Sequence, residues 1–86
     1  MLDELLILKK IKEGDIKAFE DLFRSYYFPL CCYAAGITGQ MAVAEEIVEE
    51  LFYVLWKERV RLQIFQSVKS YLYKATRNQS LQYCEH

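Results

Sequence analysis

The sequence predicts an all-α protein, folded as a compact antiparallel helical bundle of three to four helices. Apolar residues recur every three or four positions along most of the 86-residue chain, and no stretch shows the alternation typical of strands. Only three glycines and one proline interrupt these segments. With 53% hydrophobic and 27% charged residues, the composition indicates one small domain over residues 1–86.

Capping residues and apolar spacing predict the first two helices. Asp3 is a suitable N-cap for a helix over residues 4–12, and the following Glu-Gly-Asp ends it. Asp15 is the N-cap of a second helix over residues 16–35, in which Pro29 is expected to cause a kink without dividing the helix. The inward residues of the first helix are predicted to be Leu5, Leu8 and Ile11.

The third and fourth helices follow a break at residues 36–40. The third is predicted from Met41 to Arg59 or Arg61, and a loop over residues 61–66 separates it from the fourth. Ser67 is the expected N-cap of the fourth helix. The inward residues predicted for the third helix are Ala44, Ile47, Val48, Leu51 and Leu55, and those for the fourth are Val68, Tyr71, Leu72 and Ala75.

A second line of residues on the third helix is predicted to face outward. On a helical wheel Glu49, Phe52 and Trp56 lie within about 40° of Glu45, whereas the predicted core side lies about 240° from it. An acidic row that ends in two aromatic residues suits a protein partner with a basic, partly apolar surface. The alternative is a solvated acidic face with Trp56 folded back onto a neighbouring helix.

The fourth helix carries cations along one side. Lys69, Tyr73 and Arg77 are four residues apart, with Lys74 beside them, and this pattern suits either nucleic acid or a solvated surface. The charge distribution agrees with a basic C-terminal part. Residues 1–55 hold five basic and ten acidic side chains, a net charge of −5, whereas residues 56–86 hold six basic and two acidic, a net charge of +4.

The sequence contains no motif that indicates catalysis, metal binding or a membrane span. The single histidine, His86, is terminal, and the glutamates of the third helix have no Glu-x-x-His partner, so we expect neither an enzyme nor a metal or other cofactor. Cys31, Cys32 and Cys84 form no CxxC pair. No apolar run approaches the roughly 20 residues of a membrane span and no secretion signal is present, which predicts a cytoplasmic protein.

Three motifs in order resemble region 2 of bacterial RNA polymerase sigma factors, in particular the extracytoplasmic-function group. They are "GDIKAFEDLFRSYYFPL", "AEEIVEELFYVLWKER" and "SYLYKATRNQSLQY", and together they span most of the chain. The resemblance implies a transcription initiation module that binds RNA polymerase core and opens the promoter minus-ten element. One departure is Glu49, where members of the family usually have glutamine.

The resemblance also implies which residues bind each partner. The clamp helices of the polymerase β′ subunit would bind the third helix at Glu45, Glu46, Glu49, Glu50, Phe52 and Trp56. The non-template strand of promoter DNA, with a flipped base, would bind Arg61, Phe65, Gln66, Ser67, Lys69, Tyr73, Lys74, Arg77 and Asn78. Neither a membrane nor a small-molecule substrate is implied.

Two further expectations concern the context of the domain. An anti-sigma protein is an expected partner, because sigma factors of this group are commonly held by one. We also expect the chain to be the N-terminal part of a longer protein, since the family normally continues into a second helical DNA-binding domain after the position of Tyr83. The alternative function is a helical protein-interaction adaptor with no nucleic-acid role.

Overall fold

The computed structural model of the protein describes residues 4–63 and 67–85. These residues form α1 (Glu4–Lys12), α2 (Ile16–Thr38), α3 (Met41–Lys57), a 3₁₀ turn (Arg59–Arg61) and α4 (Val68–Cys84), and none of them lies in a strand. The predicted all-α bundle is confirmed. Its radius of gyration of 12.8 Å is close to the roughly 12 Å expected of a compact chain of this length.

Local capping interactions account for the observed helix boundaries. The carboxylate of Asp15 accepts hydrogen bonds from the backbone N–H groups of Lys17 and Ala18, at 3.1 and 3.2 Å. The Ser67 hydroxyl accepts one from the N–H of Ser70 at 3.2 Å. Both predicted N-caps are therefore confirmed, whereas the predicted cap Asp3 lies outside the described residues.

Two predicted helix ends were wrong. The second helix does not stop at Ala35 but continues to Thr38. Its C-cap is Gly39. Gly39 has a left-handed conformation (φ 79°), and its N–H donates to the carbonyl of Ala35 at 2.8 Å. The third helix ends at Lys57, and the residues after Glu58 tighten into the 3₁₀ turn instead of continuing it.

The long central helix α2 organises the core. It packs extensively against α3 and α4 and also against α1, whereas α3 and α4 contact each other less. α2 continues through Pro29 as one helix, as predicted. The largest fully buried side chains include residues from all four helices, namely Ile11, Leu22, Leu30, Val48, Phe52 and Leu72.

The inward sides of α1 and α4 differ from those predicted. Leu5 is 63% exposed, because α1 turns Leu8 and Ile11 toward α2 and leaves Leu5 at the surface. On α4 the buried positions are four residues apart and include two hydroxyl side chains; they are Val68, Leu72, Thr76 and Ser80. Tyr71, which was predicted to be inward, is 36% exposed and lies at the surface, so this prediction was wrong.

Candidate protein-binding and nucleic-acid-binding surfaces

Four glutamates of α3 are exposed, as the sequence predicts; they are Glu45, Glu46, Glu49 and Glu50. Their side chains form no ion pair with any cation of residues 4–63 and 67–85. The phenol of Tyr27 donates a hydrogen bond to Glu49, with 3.0 Å between Oη and Oε2. Burial of Tyr27, reinforced by this hydrogen bond, raises the pKa of the phenol well above its ordinary value, so the phenol stays a donor. One glutamate of the row is thus oriented by α2.

Phe52 is not part of the outward face, and its predicted exposure was wrong. Its side chain is only 2% exposed and meets the rings of Phe19 and Phe23 edge-on, at centroid distances of 6.1 and 5.0 Å. The buried side of α3 is rotated from the predicted apolar stripe toward Phe52, because α2 covers the side of α3 on which Phe52 lies. Ile47 and Leu51, which were predicted to be inward, are only partly buried. Phe52 therefore joins the two helices instead of offering a contact to a partner.

Trp56 is half-buried, and its ring makes contacts within the protein. Its ring lies 5.0 Å from the Phe19 ring, and the guanidinium of Arg59 lies 4.2 Å from its centroid in a cation–π contact. Arg59 also donates a hydrogen bond to the Trp56 carbonyl at 2.9 Å. These contacts hold the 3₁₀ turn against the end of α3, so only part of the indole is open to a partner.

The exposed aromatic residue of this face is Tyr53, which the sequence reasoning missed. Tyr53 is 59% exposed, and Lys57 Nζ lies 5.9 Å from its ring centroid. The helical wheel contained the signal, because Tyr53 falls between Glu46 and Glu49, at about 80° from Glu45. Hereafter the acidic surface means Glu45, Glu46, Glu49, Glu50 and Tyr53.

Three cations of α4 are exposed and form the cationic surface, namely Lys69, Lys74 and Arg77. They form no ion pair within the part of the chain that the structure describes. Asn78 is also exposed and lies at the α3 side of the helix. Tyr73 is half-buried, and its ring contacts Tyr33 of α2 at a centroid distance of 5.2 Å. Tyr73 is thus less available for stacking on a base than the sequence suggests.

The remaining predicted DNA-binding residues belong, in sequence, to the end of the 3₁₀ turn and the residues before α4. Arg61 is exposed, with 3.8 Å between its guanidinium and the carboxylate of Glu58. Ser67 is exposed, but its hydroxyl already caps α4. Phe65 and Gln66 lie outside the described residues, so the predicted base pocket stays a prediction.

The chemistry available elsewhere in the described residues is limited. No three or more His, Cys, Asp or Glu side chains among residues 4–63 and 67–85 are grouped so as to hold a metal ion. The cysteines Cys31, Cys32 and Cys84 are free, and burial raises the pKa of the Cys31 thiol, which makes it a poor nucleophile. Within the same residues, no helix combines the length and the apolar character that crossing a bilayer requires.

The acidic and cationic surfaces lie on separate helices that both pack against α2. Both α3 and α4 pack on α2, so the exposed carboxylates of the first helix and the exposed cations of the second are carried by one core. Such an arrangement can bind two partners of opposite charge without any covalent chemistry. The chain matches no protein-family model, and no curated protein or solved structure is significantly similar to it.

Proposed function

We propose that the protein is a transcription initiation module of the sigma-factor region 2 type, acting in the cytoplasm as part of RNA polymerase holoenzyme. Its acidic surface binds the clamp helices of the β′ subunit, and its cationic surface binds the non-template strand of the opened minus-ten element. The observation that carries the proposal is the separation of exposed carboxylates on α3 from exposed cations on α4 within one core. The order of the three sequence motifs supports it independently.

The protein-binding half of the proposal depends on the acidic surface. Unpaired carboxylates attract and orient a basic helical partner, and an exposed aromatic ring beside them supplies apolar contact area. Tyr53 takes this aromatic role in the proposal, together with the exposed part of Trp56. Phe52, which is buried, contributes by holding α3 against α2.

The nucleic-acid half depends on phosphate neutralisation by the cationic surface. Lys69, Lys74 and Arg77 have no competing ion pair among the described residues, so each is available to a phosphate. Binding to the separated strand offsets the few kcal/mol needed to unpair and unstack a base. Arg61 and Asn78 complete the proposed contact set among the described residues, and the predicted contacts of Phe65 and Gln66 stay part of the proposal.

A binding experiment with charge reversals tests the proposal. Glu46→Lys and Glu50→Lys should each weaken pull-down of a β′ clamp-helix fragment at least about tenfold, since an attraction becomes a repulsion. Glu13→Lys is the matched control, because it makes the same charge change at an exposed site at the end of α1. Circular dichroism should show unchanged helicity in all three. Unchanged pull-down by both α3 variants would refute this assignment of the acidic surface.

A helical protein-interaction adaptor is the second candidate function. The specific observation in its favour is a groove between α3 and α4 that borders the acidic surface. An adaptor would bind a protein partner but no single-stranded minus-ten DNA at any salt concentration. An anti-sigma protein, which is a proposed partner under the first function, would bind in either case, so DNA binding is the measurement that separates the two.

A further inference from the structure

A groove with a volume of about 620 Å³ runs between α3 and α4. It exists because both helices pack on α2 and contact each other less, which leaves apolar side chains uncovered along their facing sides. These apolar and aromatic residues are Val43, Ile47, Leu51 and Val54 on α3 and Tyr71, Ala75 and Tyr83 on α4. Val54 is 43% exposed, so the groove is apolar surface in contact with solvent.

The length and spacing of the groove match an α-helix. From Val43 to Val54 the α3 wall extends about 16 Å, at about 1.5 Å per residue, which is three helical turns. Val43, Ile47 and Leu51 are four residues apart and form one ridge, the kind of row that packs beside the ridges of another helix. A helix of about 11 residues would cover this wall.

The charge of the groove indicates which charge a binding partner should carry. Glu46 and Glu50 stand one turn apart on the α3 rim, both exposed and without an ion pair in the described part of the chain. The α4 side offers the uncharged amides of Asn78 and Gln79. Since no lysine or arginine lines the groove among the described residues, its charge is negative and favours a basic partner.

We propose that this groove binds one amphipathic α-helix of a protein partner. The apolar side of the partner helix packs on the Val43–Ile47–Leu51 ridge, and lysine or arginine residues at its edge face Glu46 and Glu50. The inference overlaps the proposed function at Glu46, Glu50 and Asn78 and rests on it only there, because the apolar ridge belongs to neither proposed contact set. It depends on the apolar side of α3, and it requires neither polymerase nor DNA.

The direct test uses the 86-residue chain and a synthetic peptide. The probe is a leucine–lysine amphipathic peptide of about 14 residues, and its control is a permuted peptide of the same composition without an apolar side. On addition of the probe, the methyl NMR signals of Val43, Ile47, Leu51 and Val54 should shift, whereas that of Val68 in the core should not. Equal binding of the permuted peptide, or shifts that avoid the groove, would overturn the inference.

Paired variants locate the binding site. Val54→Arg should weaken probe binding at least about tenfold, because it places a bulky cation in the groove, whereas Val60→Arg, at a valine 74% exposed in the 3₁₀ turn, should not. Undiminished binding by the Val54 variant refutes the groove inference and leaves the clamp-helix pull-down unaffected as a test of the proposed function. Concentration-dependent shifts of the groove methyls without peptide would assign the groove to a second copy of the chain and also overturn the inference.

Discussion

Tyr27 of α2 donates a hydrogen bond to Glu49 of α3, with 3.0 Å between the phenol oxygen and the carboxylate. The two residues are 22 positions apart, so the bond exists only in the folded bundle. It distinguishes Glu49 from the other carboxylates of the acidic surface, because its orientation is set from within the protein. The central helix thus supports the candidate protein-binding surface as well as the core.

Removal of the Tyr27 hydroxyl should lower stability modestly. Tyr27→Phe loses one hydrogen bond to a carboxylate that remains exposed, so we expect a decrease of about 0.5–1 kcal/mol in the free energy of unfolding. Urea denaturation followed by circular dichroism measures it. Tyr53→Phe is the matched control, since Tyr53 makes no hydrogen bond through its hydroxyl within the described residues, and its stability should not change. Equal effects of the two variants would contradict the role of the bond.

The pairing of Tyr26 with Glu4 predicts a loss of stability at alkaline pH. Burial, together with the hydrogen bond donated to Glu4, raises the pKa of Tyr26 to about 12, from about 10 in an unfolded chain. The folded state therefore holds this proton more tightly. The resulting stability is fully present below pH of about 10 and is lost as the pH rises toward about 12.

The measurement compares the wild-type protein with Tyr26→Phe. Their unfolding free energies in urea should differ by a constant amount up to pH of about 9, and the difference should shrink above pH of about 10 as the phenol ionises. The subtraction removes the contributions of Tyr27 and of the lysines, which both proteins share. Parallel pH profiles of the two proteins would show that Tyr26 does not contribute in this way.

Phe52 and Tyr53 are neighbours in the chain with opposite expected effects. Phe52→Ala leaves a cavity among the rings of Phe19 and Phe23 and should cost about 3–5 kcal/mol, enough to unfold much of a domain of this size. Phe52→Leu should lower the free energy of unfolding by less than Phe52→Ala does. Tyr53→Ala should change stability by no more than about 0.5 kcal/mol. Thermal unfolding resolves these cases, and a loss in Tyr53→Ala as large as that in Phe52→Leu would be inconsistent with the structure.

The buried hydroxyl of Thr76 predicts a stabilising substitution. Thr76 is fully buried, and its Oγ1 makes no hydrogen bond within the described residues. Thr76→Val replaces the hydroxyl by a methyl group and should raise the free energy of unfolding by about 1 kcal/mol. Thr38→Val is the contrasting control. The Thr38 hydroxyl accepts a hydrogen bond from the N–H of Gln40, so its removal should lower the free energy of unfolding. A decrease in stability for Thr76→Val would reveal a partner of this hydroxyl.

The cationic surface predicts a change in the salt dependence of DNA binding. Lys74→Ala combined with Arg77→Ala should weaken binding of a single-stranded minus-ten oligonucleotide and reduce the slope of log K against log salt by about 1.4, at about 0.7 per phosphate contact. Fluorescence anisotropy at several salt concentrations measures the slope. The control is Lys9→Ala with Lys10→Ala, which removes the same charge from exposed positions of α1. Equal losses in both double variants would indicate a dependence on net charge alone.

The candidate surfaces could be predicted in part because charged residues are seldom buried. The exposed glutamates of α3 and the exposed cations of α4 follow directly from their types and spacing. The aromatic residue beside the glutamates could not be chosen in the same way. Phe52 and Tyr53 are both compatible with a helix surface, and the choice between them depends on where α2 crosses α3.

The amino-acid sequence by itself determined the helical class and most helix boundaries, because capping and apolar spacing act between residues a few positions apart. Asp15 and Ser67 start their helices through hydrogen bonds to residues two or three positions away. Only the tertiary structure decided that Phe52 is buried, that Tyr27 orients Glu49, and that a groove opens between α3 and α4. Each of these features depends on how one helix lies against another, and local spacing does not specify that geometry.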